Sequence, residues 1–250
     1  MYKIYGILLG EKESDGRKLL PNVAGVEPKI QIGYYMWCIK GDETTILIDT
    51  GLNDEHIKER NIYNVRYAQD QLKKIDVDPA NIKTVIITHL HTDHFSSYQL
   101  YPDATFYIQK KEIEFFAGPA ARFPQIKRIA GDMAEVMRLA YEKRVRYIDG
   151  DEQLFPGIRV ALVGGHTPGS QVVVVTTHRG EVVICGDAID LSRNLEEEVA
   201  ALSVLDTVES LLSMDKIRAL ASSPELIIPG HDALTMKRFP ILTEGIIEIG

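Results

Sequence analysis

The sequence predicts an α/β protein in which two β-sheets are covered by helices on their outer sides. Short apolar runs typical of strands occur in blocks, and segments with helical spacing lie between and after these blocks. The run 84–88 (TVIIT) is rich in β-branched residues, as in a central strand that is buried on both faces. Strands in blocks with interspersed helices favour two packed sheets with helices outside them.

The individual elements follow from the spacing of apolar residues and from turn signals. Strands are predicted at 30–39, 44–49, 84–88, 104–108, 158–163, 171–177, 181–185 and 225–228, with a hairpin turn at 40–43. Helices are predicted at 65–75, 132–143 and about 206–221. We predict that residues 1–250 form one domain, with 111–145 as a candidate substrate-pocket insertion.

Composition and charge restrict the class of protein. The chain has 250 residues, of which 45% are hydrophobic, so it can bury a full core. Its net charge of −8 argues against nucleic acid as a partner and favours a small-molecule substrate. No apolar run approaches the roughly 20 residues of a membrane span, and the start lacks the apolar stretch of a secretory leader. We therefore expect a cytoplasmic protein without a membrane partner.

Two cysteines, Cys38 and Cys185, lie in apolar runs that are predicted to be strands. Their number and spacing exclude a disulfide framework and a CxxC zinc site. We expect both to be small buried hydrophobic residues.

The strongest chemical signal is the motif HLHTDH, which directly follows the predicted central strand. Imidazole nitrogen and carboxylate oxygen are the usual ligands of zinc and related ions. His89 and His91 are two residues apart on an extended segment and point to the same side. Asp93 continues that side, whereas His94 can turn toward a second position as the chain bends.

This one segment cannot complete two coordination spheres, and the sequence supplies three further donors in suitable places. His166 in GGHTPGS, Asp187 in CGDA and His231 in PGHD each follow a predicted strand and lie beside glycine. Loops at strand ends display functional groups on a rigid scaffold, and glycine allows close backbone approach. The two other histidines differ: His56 is expected on a solvated helix face, and His178 on the surface of a turn.

The ordered set HLHTDH, GGHTPGS, GDA and PGHD, with ILIDTG near the start, resembles the metallo-β-lactamase superfamily over about residues 30–240. The resemblance implies a four-layer αββα sandwich with a dinuclear metal site at one edge of the sheets. It implies one metal at His89, His91 and His166, another at Asp93, His94 and His231, and Asp187 as the bridge. Asp49 in IDTG would support the site without being a ligand.

Within the superfamily, the chain is most similar in pattern to quorum-quenching lactonases that open N-acyl-homoserine lactones, and to pyridoxolactonase-type enzymes. The shared features are the YMWC strand before ILIDTG, the HxHxDH loop and PGHD with its trailing Asp232. The lactonases usually carry a tyrosine three residues after the bridging aspartate, and here that residue is Asp190. Thr92 also stands where many lactonases have an aromatic residue.

The hypothesis for the mechanism is the opening of a lactone by metal-assisted hydrolysis. Two divalent metals roughly 3.5–4 Å apart would share a hydroxide that attacks the carbonyl carbon. One metal would polarise the carbonyl oxygen, and the other could receive the leaving alkoxide. Asp93 is the candidate that accepts and returns the proton. Asp190 is a second catalytic candidate, which would either transfer a proton as Asp93 does or bind a positive or hydrogen-bond-donating group of the substrate. Zn²⁺ is the default metal, and the donor set also accepts Mn²⁺ or Fe²⁺.

Substrate specificity is expected to lie in the irregular segments. The candidates for pocket lining are Tyr34 and Met36, Tyr63 to Tyr67, and Phe115 to Phe123. Phe and Met side chains at helical spacing, however, more often belong to the hydrophobic core.

Other functions remain as alternatives. The first is hydrolysis of another ester, a thioester or a cyclic amide at the same site. A phosphodiesterase or nuclease is disfavoured by the acidic composition, and a flavodiiron-type redox centre by His91, where glutamate is common. A non-catalytic metal-binding protein is disfavoured by the complete ligand set. The oligomeric state is open, with a homodimer as one candidate.

Overall fold

A computed structural model of the protein describes residues 1–42 and 44–250, so Glu43, the last residue of the predicted hairpin turn, lies outside the described residues. The strands are β1 (Lys3–Asp15), β2 (Lys29–Lys40), β3 (Thr45–Ile48), β4 (Thr84–Ile86), β5 (Thr105–Gln109), β6 (Val145–Ile148), β7 (Glu152–Phe155), β8 (Ile158–Leu162), β9 (Gln171–Thr177), β10 (Gly180–Ile184), β11 (Ile227–Ile228), β12 (Ile241–Thr243) and β13 (Ile246–Ile249). The helices are α1 (Gly16–Leu19), α2 (Asp54–Arg60), α3 (Ala68–Lys73), α4 (Lys110–Phe116), α5 (Pro124–Ile129), α6 (Met133–Tyr141), α7 (Ser192–Glu196), α8 (Thr207–Leu220) and α9 (Thr235–Arg238).

The strands in the described part of the chain form two sheets. The larger sheet has eight strands in the order β12-β13-β1-β2-β3-β4-β5-β6. Its strands from β3 to β6 are parallel, and the others pair antiparallel. The smaller sheet has five strands in the order β11-β10-β9-β8-β7, of which β10 and β11 are parallel.

The two sheets pack face to face, and the alternation of side chains along each strand divides the core. In β2, Tyr35 and Trp37 point between the sheets, whereas Met36 and Cys38 belong to the core on the outer face of the larger sheet. In β9, Val173 and Val175 point between the sheets, and their neighbours face outward. Successive residues of a strand face opposite sides, so one apolar strand serves two core layers.

Helices cover both outer faces of the sandwich. Leu72 of α3, Ile113 of α4 and Leu139 of α6 pack in the core of the larger sheet. Met214 and Ile217 of α8 pack on the outer face of the smaller sheet. The layers therefore follow the order helix, sheet, sheet, helix, which confirms the predicted αββα sandwich.

The sequence predicted the strands that lead into the histidine and aspartate motifs. It missed the strands at both ends of the chain and the two strands that precede β8. No strand was predicted at β1, β6, β7, β12 or β13. The second half of β1 is charged (EKESD), which resembles a loop, yet it pairs with β2 from Lys29 to Gly33. Only this tertiary pairing makes the segment extended. The predicted helices correspond to α3, α6 and α8.

Two further sequence expectations concern burial and membranes. Cys38 and Cys185 are buried, as predicted for small hydrophobic residues. Among the described residues, no helix has the length and apolar character needed to cross a membrane.

The strand ends that matter for function meet at one edge of the sandwich. In the larger sheet, the parallel strands β3 and β4 lead into IDTG and HLHTDH. In the smaller sheet, β8, β10 and β11 run in one direction and lead into GGHTPGS, CGDA and PGHD. The fold thus gathers on one edge the motifs that the chain distributes over more than 180 residues.

The packing between the sheets makes a stability prediction. Ile46 is 0% exposed in the layer between the sheets, whereas Ile241, on the edge strand β12, is 67% exposed. We expect Ile46→Ala to lower the free energy of unfolding by about 2–5 kcal/mol, since it leaves a cavity in a packed core. The control Ile241→Ala should change it by less than about 0.5 kcal/mol. Urea unfolding measures both, and equal effects would contradict the assigned core.

Candidate metal centre

The first group of side chains at this edge contains three histidines and one aspartate. Its members, all buried, are His89, His91, His166 and Asp187. His91 Nδ1 lies 2.9 Å from His166 Nε2. Asp187 Oδ2 lies 3.5 Å from His166 Nε2 and 3.8 Å from His89 Nε2. The group forms where the loop after β4, from one sheet, meets the loop after β8, from the other.

The second group shares the same aspartate. Its members are Asp93, His94, Asp187 and His231. Asp187 Oδ1 lies 3.1 Å from His94 Nε2 and 3.2 Å from His231 Nε2. Asp93 Oδ2 lies 3.7 Å from each of these two nitrogens. The structure therefore brings together all seven residues that the sequence singled out, in two groups that share one carboxylate.

Glycines next to these residues allow the loops to approach each other closely. Gly186, directly before Asp187, has a φ of 50°, and a Cβ there would lie 2.9 Å from the side chain of Thr88. A Cβ on Gly230, directly before His231, would lie 2.5 Å from the carbonyl oxygen of Gly186. Glycine is therefore required at position 186 by the left-handed backbone and the close contact, and at position 230 by the close contact alone.

Both groups have the donors and the spacing that a divalent ion requires. Zinc binds imidazole nitrogen and carboxylate oxygen at about 2.0–2.2 Å, so two ligands of one ion lie at most about 4.4 Å apart. The donor distances given above run from 2.9 to 3.8 Å. Among the described residues, the buried atoms His89 Nε2, His94 Nε2 and Asp187 Oδ1 have no hydrogen-bond partner. Such atoms are costly to bury, and a cation would satisfy them.

Two of the histidines are oriented by a contact on the far side of the ring. His94 Nδ1 lies 2.7 Å from Asp49 Oδ2, and His231 Nδ1 lies 2.8 Å from the carbonyl oxygen of Gly33. A proton on each Nδ1 leaves Nε2 free to face the site. Asp49 is itself held by the N–H and hydroxyl of Thr88, and it adopts a φ of 62°, which aspartate tolerates better than most residues.

The electrostatics of the two groups differ. Burial lowers the pKa of His91 to about 3, and burial also lowers the pKa of His89 and His166, so these imidazoles are neutral. Burial acts in the same direction on His231, but the carboxylates of Asp187 and Asp93 outweigh it and raise the pKa to about 10. Burial raises the pKa of Asp187, but the imidazoles of His231, His94 and His89 outweigh it, so this pKa lies well below its ordinary value. The three imidazoles of the first group are thus neutral, whereas His231, the imidazole of raised pKa, lies in the second group.

Sequence reasoning missed Glu112, a fully buried carboxylate next to the first group. Its oxygens accept hydrogen bonds from Leu90 N–H, Thr167 Oγ1 and Gly169 N–H. Burial raises the pKa of Glu112 to about 7, and these bonds act in the opposite direction. The available signal was its position four residues before Phe116, on the apolar face of α4.

The expectation for His56 was wrong. It is only 5% exposed, and its ring lies 6.2 Å from that of Tyr34, edge to face. Helix α2 turns this residue inward, while charged neighbours in DEHIKER occupy the outer face. His178 is exposed on a turn, as expected.

Asp190 lies beside the second group. It is 5% exposed, and its carbonyl oxygen accepts the N–H of His231 at 3.0 Å. Burial, with the charge of Asp187, raises the pKa of Asp190 to about 7. Tyr34 also packs against the second group, and its ring centroid lies 5.1 Å from that of His231.

Most side chains of the two groups are closed to solvent, and Asp93 is the most exposed of them. The Asp93 side chain is 15% exposed, whereas those of the other six residues are at most 9% exposed. The neighbouring Thr92 lines a cavity of about 620 Å³ between α2 and α5. Charged side chains from both helices, among them Glu59 and Arg128, contribute to the cavity wall.

The candidate pocket residues fall into different environments. Met36 is 0% exposed in the core, and Phe116 is buried with its ring 5.8 Å from that of His91. Phe123, Tyr63 and Tyr67 are 47%, 40% and 43% exposed. Part of this set therefore packs in the core, and the pocket role of the exposed members stays a prediction.

Comparison with known proteins places the chain in a family. The model of the metallo-beta-lactamase superfamily matches residues 33–231. The N-acyl homoserine lactonase of Bacillus cereus is 24% identical over 231 residues, which cover 84% of this chain and 86% of that protein.

Solved structures share the fold. A quorum-quenching N-acyl homoserine lactone lactonase superimposes with a TM-score of 0.75 at 21% identity, over 96% of both chains. A dizinc quorum-quenching lactonase in complex with its product has a TM-score of 0.75 at 17% identity, over 99% of this chain and 94% of that one.

The family model covers most of the chain, and its span begins at the strand before IDTG and ends at the histidine of PGHD. The two sheets, their helical covers and the motifs at the shared edge agree with that match. This chain belongs to the metallo-β-lactamase superfamily and is a metal-dependent hydrolase.

Proposed function

We propose that this chain is a dinuclear hydrolase that opens a small lactone of the N-acyl-homoserine lactone type. The observation that carries the proposal is the pair of histidine and aspartate groups that share Asp187. The lactonase relative supports the choice of bond, because its similarity extends over 84% of this chain.

The seven side chains have the following proposed roles. His89, His91 and His166 would hold one divalent ion, Asp93, His94 and His231 would hold another, and Asp187, which belongs to both groups, would contribute to each site. Two such ions, with Zn²⁺ as the first expectation, supply a water of lowered pKa and a Lewis acid for the carbonyl oxygen. Asp49 fixes the ring of His94 from outside the coordination sphere.

Asp93 is the proposed proton carrier. Its Oδ2 faces His94 and His231, which leaves Oδ1 to accept the proton of the attacking water. It is also the most exposed member of the centre, at 15% of its side chain, so a substrate entering there meets it. The same oxygen returns the proton to the alkoxide oxygen when the ring bond breaks.

Asp190 and the surrounding pocket are the proposed determinants of which substrate binds. Asp190 stands where the similar lactonases carry a tyrosine, and an ionised carboxylate accepts hydrogen bonds but donates none. We propose that it binds a donor group of the substrate. This difference favours, as the second candidate function, hydrolysis of another ester, a thioester or a cyclic amide that presents such a donor. The segment 111–145 borders the cavity at Thr92 and is the proposed source of specificity.

The dinuclear hydrolase makes a prediction about metal and reaction. The purified chain should hold two divalent ions, and their removal by a chelator should abolish ring opening until Zn²⁺ is restored. His91→Ala should lower kcat/KM at least about 100-fold, because a ligand matters more than its outer partners. His178→Ala, at an exposed turn, is the control.

A pH-indicator assay with lactones, thioesters, cyclic amides and phosphodiesters measures these activities and ranks the bonds. A content of about one ion per chain or less in the active protein, or full activity in His91→Ala, would overturn the dinuclear mechanism. A faster reaction with a thioester or cyclic amide would favour the second candidate instead.

The support of His94 by Asp49 gives another prediction. Asp49→Asn places an amide NH₂ against His94 Nδ1, which favours the tautomer with its proton on Nε2, the atom that faces the centre. We expect metal affinity to fall about 10- to 100-fold. Competition with a chromophoric chelator measures it, with Asp149→Asn at a 79% exposed side chain as the control. Equal affinities in the two variants would refute this role.

The role of Asp190 can be tested with a conservative change. Asp190→Asn removes the negative charge and half of the accepting oxygens, and we expect kcat/KM to fall about tenfold or more while both ions stay bound. Steady-state kinetics and metal analysis on the same sample provide the readouts. Unchanged kinetics would show that this carboxylate does not contact the substrate.

A further inference from the structure

The buried carboxylate of Glu112 connects the two loops that form the first metal group. Glu112 is 0% exposed near the start of α4. Its Oε1 accepts the N–H of Leu90 at 2.8 Å. Its Oε2 accepts the hydroxyl of Thr167 at 2.7 Å and the N–H of Gly169 at 2.9 Å. Buried carboxylates are tolerated when their oxygens are satisfied in this way, and breaking one such contact is costly.

The donors to Glu112 belong to the loops themselves. Leu90 lies between His89 and His91, and Thr167 directly follows His166. These loops come from different sheets, so contacts that cross between them must fix their separation. The rings of His91 and His166 meet edge to face, and Nδ1 of His91 lies 2.9 Å from Nε2 of His166, a spacing that a small displacement of either loop would change.

We propose that Glu112 is a positioning residue, which sets the distance between the HLH and GHT loops so that the first group accepts a divalent ion without rearrangement. The inference rests on the proposed function only in that this group binds a metal ion, and it requires no particular substrate. The charge state matters. A carboxylate accepts from all three donors, whereas a glutamine in its place has one oxygen and one NH₂.

The test therefore starts with Glu112→Gln in the full chain at about pH 8, where the carboxylate is ionised. The amide keeps the size of the side chain but must lose its contact with one loop. We expect the affinity for one of the two ions to fall about 10- to 100-fold. Competition of Zn²⁺ with a chromophoric chelator measures the affinity, and the visible spectrum of the Co²⁺-loaded chain should change at one site.

Two further variants make the result specific. Glu114→Gln lies on the exposed side of the same helix and should keep wild-type affinity and spectrum. Thr167→Val removes one hydroxyl donor at nearly constant volume, so it reports on the same contact even where Glu112→Gln fails to fold. We expect it to weaken the binding of the same ion by up to about tenfold.

The outcomes separate the two proposals. Weaker binding of one ion in Thr167→Val and in folded Glu112→Gln, with a normal Glu114→Gln, supports the role of Glu112. Wild-type affinity and Co²⁺ spectrum in folded Glu112→Gln, or in Thr167→Val when the first variant does not fold, overturn it. These readouts use the metal alone. A wild-type chain that binds two ions but opens no lactone would therefore overturn the proposed substrate and leave the role of Glu112 standing.

Discussion

The arrangement of this protein depends on one buried carboxylate, Asp187, and on the histidines around it. Each of its oxygens faces a different group, with His94 and His231 near Oδ1 and His166 near Oδ2. A buried negative charge must be compensated, and here imidazoles and the proposed ions do so. Loops from two sheets therefore converge so that the donor atoms within each group lie within 4.8 Å of one another. The glycines beside the ligands are what permit that approach.

A rigid frame holds these loops in place from behind. The strands that feed the centre are buried on both faces, and the layer between the sheets fixes one sheet against the other. The contacts at Asp49, at the carbonyl of Gly33 and at Glu112 then orient individual rings. Metal sites depend on such outer contacts nearly as much as on the ligands. Packing and these hydrogen bonds thus hold the donor side chains of the centre in place.

Different residues of this chain support the hydrolytic chemistry and the choice of substrate. The family match shows a metal-dependent hydrolase, whereas a shared fold does not by itself fix the substrate. We propose that the choice of bond depends on the less regular surroundings, namely Asp190, Tyr34 and the charged cavity that Thr92 lines. A polar cavity wall suits a substrate with polar groups beyond the reacting carbonyl. The lactone proposal therefore rests on the relatives, and the two groups that share Asp187 support the hydrolytic chemistry.

The sequence alone determined the fold class, the main strands and the seven residues of the centre, because their types and spacing carry the chemistry and the two-residue period of strands. It did not reveal the charged half of β1 as a strand, the burial of His56 or the role of Glu112. These features depend on partners far away in the chain: β2 for the first, Tyr34 for the second, and Leu90 and Thr167 for the third. A charged residue in a charged segment resembles a surface residue until the tertiary structure supplies the hydrogen bonds that make its burial favourable.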